Sequence, residues 1–313
     1  MKLNATGNRY IGMNLKWNYD PNNPSLEISN FETVPKSFAR FDKDNNIKAR
    51  KTPSKYTAPT YGYKEIEIAS EQIESPTEVP DSKQHVQAVN GTYLFYGRII
   101  DYSILEQTNT IGQSQENPTT KTLEQVNHLL GYAKEYPDTK LVLHGNDMQL
   151  RVMYDASFMT ASLGRSKGGI VYYMANINDP PELTPSIFDV DSFVIPIVCA
   201  SVAEAEYATA FHGGQKAYFY RNVLDFLGYT QQATPVFGDN KIAIDIGNNA
   251  CKLRKGKAIE KSYHWFRDRC RLKDFESKWI CSANNVADYF TKPLSLSRHN
   301  ELMVAKIVTT GSH

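Results

Sequence analysis

The sequence predicts a mixed α/β fold, a mixed sheet with flanking helices, preceded by a smaller α+β region. Three observations predict it. Strand-like runs follow one another closely from residue 140, helical and strand-like runs alternate beyond residue 200, and apolar residues recur at helical spacing between 86 and 135. The 313 residues, 41% of them apolar, are enough for about two domains with packed cores and exclude a disordered chain.

The elements follow in order. Residues 9–17 and 25–31 alternate apolar and polar side chains around Asp20-Pro-Asn-Asn-Pro, which predicts a β-hairpin. Residues 32–85 carry Pro35, Pro53, Pro59, Pro76 and Pro80 among charges with no sustained period, and read as a long loop or short docked pieces. Helical character runs over 86–109. It is clearer over 119–135, where Leu123, Val126, Leu130 and Ala133 share a face after Thr119-Thr120 and Pro137 follows. Strands are expected at 140–144, 149–155, 169–174 and 193–199, with 176–192 as an insertion. A helix over 203–227 stops at Gly228, and its Gly213-Gly214 pair, costing about 1 kcal/mol each, marks a kink or a close approach. A strand at 234–238, a helix at 240–247, a helix at 259–273 and a strand at 275–281 complete the pattern.

Composition narrows the function classes. A formal net charge of +1 excludes a globally basic nucleic-acid binder but not local patches. Cys199, Cys251, Cys270 and Cys281 show no Cys-x-x-Cys pairing and no histidines at zinc spacing, so a reduced, intracellular and cytoplasmic setting is expected. No run approaches the roughly 18 apolar residues of a membrane span, and the first residues lack the apolar run of a signal peptide.

Four acids stand in distinctive settings: Asp155 in Tyr-Asp-Ala-Ser-Phe, Glu204 in Ser-Val-Ala-Glu-Ala-Glu-Tyr, Asp239 in Gly-Asp-Asn-Lys-Ile, and Asp288 in Val-Ala-Asp-Tyr-Phe-Thr-Lys-Pro-Leu. Capping alone accounts for three of them, since Ser201-x-x-Glu204 is a capping-box pattern, Asp239 precedes a helix and Asp288 lies in a first turn after Asn285. Asp155, near the end of a strand, has no such explanation. Taken jointly, the acids sit at the end of a first strand, the start of a long helix, just after a later strand and the start of a last helix. Clustered carboxylates repel one another without a cation, and phosphodiester hydrolysis with two magnesium ions roughly 4 Å apart needs such hard oxygen ligands. Glu206, two residues from Glu204 on the same helix, is expected to point away from the cluster.

The residues also carry a family resemblance. Asp155-Ala-Ser-Phe, Ala203-Glu-Ala-Glu-Tyr207, Asp239-Asn-Lys-Ile-Ala-Ile244, Arg254-Lys-Gly-Lys with Tyr263-His-Trp-Phe-Arg267, and Ala287-Asp-Tyr-Phe-Thr-Lys-Pro-Leu294 resemble, in order, the ribonuclease H region of copia-like LTR retrotransposon Pol polyproteins. Tyr10-Ile-Gly-Met-Asn-Leu resembles the hairpin closing that family's reverse transcriptase palm, and Val89 to Gly97 with the 119–135 helix resembles its thumb and connection. The resemblance implies a palm-hairpin remnant over 1–31, a thumb/connection-like region over 32–139, a ribonuclease H-like domain over 140–296 and a tail over 297–313. It implies hydrolysis of the RNA strand of RNA–DNA hybrids, with Asp155, Glu204, Asp239 and Asp288 as catalytic metal ligands for two Mg2+ ions, which Mn2+ can replace. It also implies 5′-phosphate and 3′-hydroxyl products, missing palm and fingers domains as partners, and a virus-like particle as setting.

Departures bound the resemblance. No Asp-Asp pair is present, so no polymerase activity is expected; Ser157 and Phe158 stand where the family's first motif has Asp and Trp, and Ala258 replaces a common histidine. Residues 252–273 hold nine basic side chains against Glu260 and Asp268, and Lys252, Arg254, Lys255, Lys257 and Lys261 are the expected contacts to a phosphate backbone. A hybrid would be read by shape and 2′-hydroxyls, with little sequence preference. Two other readings stand beside the nuclease: an inactive or domesticated nucleic-acid-binding module, and an integrase of the same superfold, which ends in a helix-borne Glu rather than an Asp.

Overall fold

The computed structural model describes residues 7–58, 82–248 and 261–302. These form two compact units: 7–58 with 82–144 and 293–302, and 145–248 with 261–292.

The first unit begins with a small antiparallel sheet. Strands β1 (Arg9–Tyr10), β2 (Met13–Asn18) and β3 (Ser25–Ser29) are joined by tight turns. In the β2–β3 turn the Asn18 and Asp20 side chains accept backbone N–H bonds from Asp20 and Asn22, the reason Asn and Asp suit such a turn. Helix α1 (Thr33–Phe41) follows, a short element within the 32–85 segment read as a long loop or short docked pieces; it starts on the Asn30 carboxamide, which accepts from the N–H groups of Glu32 and Thr33. Nine residues are too few for a helical period to show in the sequence.

Residues 42–58 then lie across the helices as an extended strip, with Arg50 N–H bonded to the Gly131 carbonyl, His128 to the Thr52 carbonyl and Ser54 to Glu106. The predicted 86–109 helix is two helices, α2 (Ser82–Ile99) and α3 (Leu105–Ser114), separated where the Asp101 carboxylate caps a 3-10 turn. Helix α4 (Thr120–Glu135) starts as predicted, on a reciprocal cap between Thr119 and Thr122. Val86, Val89, Tyr93, Val126, Leu129 and Leu130 are fully buried and make the core.

Strand β4 (Lys140–His144) corrects one expectation. It does not open the large sheet but pairs antiparallel with β3, Leu141 opposite Ile28 and Leu143 opposite Leu26. An alternating five-residue run states that a strand forms; it does not state its partner.

The second unit is built on a five-stranded mixed sheet. Strand β5 (Gln149–Ser157) is central, with β6 (Lys167–Ala175) antiparallel on one side and β7 (Ser186–Val194) antiparallel beyond it. The predicted 193–199 strand is displaced: β7 uses residues assigned to the insertion, and the segment after Val194 leaves the sheet. Helix α5 (Val202–Phe226) packs on β5 and β6. A Cβ at Gly213 would lie 3.3 Å from Ile170, and one at Gly214 would lie 2.7 Å from the Phe266 ring, so the glycine pair serves close approach and the helix runs through it.

Gly228, at φ +91°, ends this helix. Strand β8 (Thr234–Gly238) pairs parallel with β5, helix α6 (Lys241–Gly247) follows, and α7 (His264–Arg271) leads to β9 (Phe275–Trp279), parallel to β8. A 3-10 turn, Val286–Phe290, completes this unit, and α8 (Leu296–Leu302) groups with the first. The mixed sheet with flanking helices is the fold class expected. Among the described residues no helix is long and apolar enough to cross a membrane.

Candidate metal centre

The centre lies at the carboxyl ends of two neighbouring parallel strands, the place where α/β sheets present ligand groups. The β5–β8 register pairs Met153 with Phe237, so two residues further on each strand come Asp155 and Asp239. Across β5 on the other side, Asp155 faces Gly169. A side chain at Gly169 would meet the Ala287 carbonyl at 2.6 Å and Thr291 at 2.9 Å. The absent side chain lets the Val286–Phe290 turn sit against the strand, bringing Thr291 and Asp288 to Asp155. The Thr291 hydroxyl lies 2.9 Å from Asp155 Oδ2, and Asn285, fully buried, donates to the Tyr154 carbonyl at 2.9 Å.

Asp155, Glu206 and Asp239 each offer an oxygen, and these three oxygens lie within 4.8 Å of one another. Two expectations are thereby corrected: Glu206 belongs to the cluster, and Glu204 does not. Residues two apart on a helix point about 200° apart, so only one can face the strands. Glu206 shares a face with Ala210 and Gly213, the stripe that approaches β5, and takes a bond from the backbone N–H of Ala156. Glu204 folds back on the helix entry, its Oε2 accepting from Ala200 N–H at 2.6 Å while its own N–H donates to Ser201 Oγ at 3.2 Å. The capping reading of Ser201-x-x-Glu204 is thus the whole account of Glu204.

Asp239 is less buried than its two partners, and its Oδ2 accepts from Ser282 Oγ at 2.6 Å. Asp288 stands beside the trio and is held by Lys292, Nζ to Oδ1 2.6 Å. The basic segment predicted to track a backbone, Lys252, Arg254, Lys255 and Lys257, lies outside the described residues. At Lys261 a 3-10 turn begins.

The electrostatics describe buried carboxylates crowded against one another. Burial, then the Asp288 carboxylate, pushes the Asp155 carboxyl up to about 7; the Lys292 ammonium and the Thr291 hydroxyl pull the other way. Burial, with Asp155 and Asp239 adding to it, raises Glu206 well above the usual carboxylate range. Burial alone would lower the Lys292 pKa, but the carboxylates of Asp288, Asp155 and Asp239 outweigh it and raise it. Glu206 Oε2 is buried with no hydrogen-bond partner among the described residues. A buried carboxylate oxygen without a donor is costly, and three hard oxygens around one point are the donor set that Mg2+ or Mn2+ takes. The residues fit such an ion.

Comparison with known proteins adds the following. No protein-family model matches the chain. A stretch of 189 residues, 60% of the chain, is 25% identical to a retrovirus-related Pol polyprotein from transposon TNT 1-94 of Nicotiana tabacum, and it spans 14% of that polyprotein's length. The resemblance to transposon Pol polyproteins read from the sequence is therefore borne out. Among solved structures, the chain is similar to RNase H1 from the halophilic archaeon Halobacterium salinarum NRC-1, with 15% identity, a TM-score of 0.32, and 47% of this chain and 95% of that one covered. It is also similar to LC11-RNase H1, isolated from compost by a metagenomic approach, with 12% identity, a TM-score of 0.33, and 46% and 93% covered.

Proposed function

We propose that the second unit is a divalent-cation-dependent ribonuclease H that hydrolyses the RNA strand of RNA–DNA hybrids. One observation carries the reading: Asp155, Glu206 and Asp239, from three separate elements, bring their oxygens within 4.8 Å of one another, with Glu206 Oε2 unpartnered. The order of the acids along the chain, and the chain's similarity over 189 residues to a transposon Pol polyprotein, support the substrate class.

In this reading Asp155, Glu206 and Asp239 hold the cation, with Asp288 at the edge to complete a second position. Mg2+ or Mn2+ bound there would stabilise the charge that develops on the phosphate oxygens during in-line attack by water. The chain's own part is positioning. Thr291 reaches one oxygen of Asp155 and Ser282 one oxygen of Asp239, which fixes both carboxylates before substrate arrives. The basic run Lys252, Arg254, Lys255, Lys257 and Lys261 supplies backbone contacts, which makes binding weaken with salt. Residues 1–31 and 32–139 correspond in this reading to the palm hairpin and the thumb/connection of a Pol polyprotein.

The test is incubation of the purified chain with a hybrid labelled on the RNA strand, with Mg2+, with Mn2+ and with chelator, beside Asp155→Asn. RNA cleavage only in the hybrid, lost with chelator and in the variant, is expected. Tight hybrid binding without cleavage in any metal would replace the nuclease with a binding module.

A further inference from the structure

The sequence motif Ala287-Asp-Tyr-Phe-Thr-Lys-Pro-Leu contributes more than its aspartate. Asp288, Thr291 and Lys292 are spaced i, i+3 and i+4, Asp288 within the Val286–Phe290 3-10 turn, Thr291 at its cap and Lys292 just beyond, close enough for Lys292 to pair back with Asp288. Thr291 is fully buried, and its hydroxyl lies 2.9 Å from Asp155 Oδ2 and 3.0 Å from the Asp288 carbonyl. Lys292 has a side chain half exposed, and its ammonium lies 2.6 Å from Asp288 Oδ1. Asp288 is not one of the three acids whose oxygens converge within 4.8 Å. The charge of Lys292 acts beyond its partner, on Asp155, Asp239 and Glu206.

We propose that Lys292 is a positioning residue: its ammonium is the tethered counter-ion of the carboxylate site, holding Asp288 out of the Asp155–Glu206–Asp239 trio and setting how tightly that trio takes a divalent cation. The inference rests on the reading of the trio as a cation site. Four carboxylates in one place repel one another, and a monovalent ammonium on a flexible stem relieves part of that repulsion without filling the site. A half-exposed stem can withdraw into solvent when a divalent ion enters. Asp288, released by the ammonium, would then be available to such an ion, which would meet the ammonium's charge on the way in. Lys292 therefore stabilises the cation-free protein and weakens cation binding, two effects of opposite sign from one charge.

The experiment titrates Mn2+ into the full chain by calorimetry at low ionic strength, for the wild type, Lys292→Gln, Lys292→Arg and Asp155→Asn, with chelator-treated samples unfolded in urea alongside. Removing the charge is expected to tighten Mn2+ binding roughly 3- to 10-fold, by a margin that shrinks in high salt, and to lower the urea midpoint of the chelated protein. Arginine keeps the charge and restores wild-type behaviour, and Asp155→Asn loses the binding. Lys292→Met, which keeps the apolar stem, repeats the test if the glutamine variant folds poorly. Mn2+ binding unchanged or weakened in a folded Lys292→Gln protein overturns the inference. A wild-type chain that binds no Mn2+ overturns both it and the reading beneath it. Tightened binding in a chain that cleaves no hybrid upholds the counter-ion and removes only the nuclease.

Discussion

Both units bury acids, and they treat them differently. In the first unit Asp101 accepts from the N–H and hydroxyl of Ser103, and Glu106 accepts from the hydroxyls of Ser54 and Thr110. Burial pushes Asp101 up to about 6, and the Ser103 bonds pull it back. These two acids are answered by neutral donors, Asp101 as the cap between α2 and α3, whereas the buried Asp42 side chain pairs with Lys134. In the second unit Asp155 and Glu206 are buried beside each other and beside Asp239, and one oxygen of Glu206 has no donor among the described residues. The protein thus shows how it satisfies a buried carboxylate where only folding matters. Where it leaves one unsatisfied among like charges, the oxygens are free to take the cation proposed above.

Substitutions can break this contrast. The largest effect belongs to the trio: Asp155→Asn or Glu206→Gln should cost at least about 100-fold in hybrid cleavage, measured as single-turnover rate, with the circular dichroism spectrum unchanged. Next comes Gly169→Ala, whose added carbon would press on backbone at Ala287. Urea unfolding should show a loss of about 1–3 kcal/mol, and cleavage should fall as the turn moves off Asp155. In the first unit Asp101→Ala should lose about 1–2 kcal/mol of stability while cleavage by the second unit continues.

The smallest of these effects is a pH dependence. Asp155 is raised from 3.8 to about 7 in the fold, so between those values the native state holds a proton that the unfolded chain has released. Stability then falls as pH rises from about 4 to 7 and stays low above it. In chelator, the wild type should lose stability between pH 5 and pH 8. Asp155→Asn should remove that share of the loss, seen as a flatter stability profile across this range. The same variant therefore ruins activity and steadies the cation-free protein, which no substitution at Asp101 does.

Much of this was legible in the sequence, and the failures have physical causes. Asp155 stood out because a carboxylate near the end of an apolar strand has no capping explanation, and Asp239 stood out only through the joint order of the acids. The helix glutamate was misassigned because the order of the acids and the motif fit either glutamate of Ala203-Glu-Ala-Glu, and the capping explanation already open to Glu204 was set aside without asking which face meets the sheet. The signal for Glu206 was present: Ala210, Gly213 and Ala217 follow it at i+4, i+7 and i+11, and small residues mark the face that lies closest to a strand. Strand β4 was placed in the wrong sheet because its partner, β3, lies more than a hundred residues upstream, and no local pattern records a pairing at that distance. Lys292 was read only as part of a motif, since an ion pair one turn away looks like ordinary helix chemistry until the neighbouring carboxylates are seen.

Glu204 and Glu206 give the most direct test, because they are two residues apart on one helix and differ only in where they point. Each should be changed to glutamine and assayed side by side on the labelled hybrid with Mn2+. The account predicts that Glu206→Gln abolishes cleavage and that Glu204→Gln keeps it within a few-fold of wild type, with a stability loss of about 1 kcal/mol or less from the weakened helix entry. Cleavage that survives Glu206→Gln, or is lost in a folded Glu204→Gln protein, would contradict it.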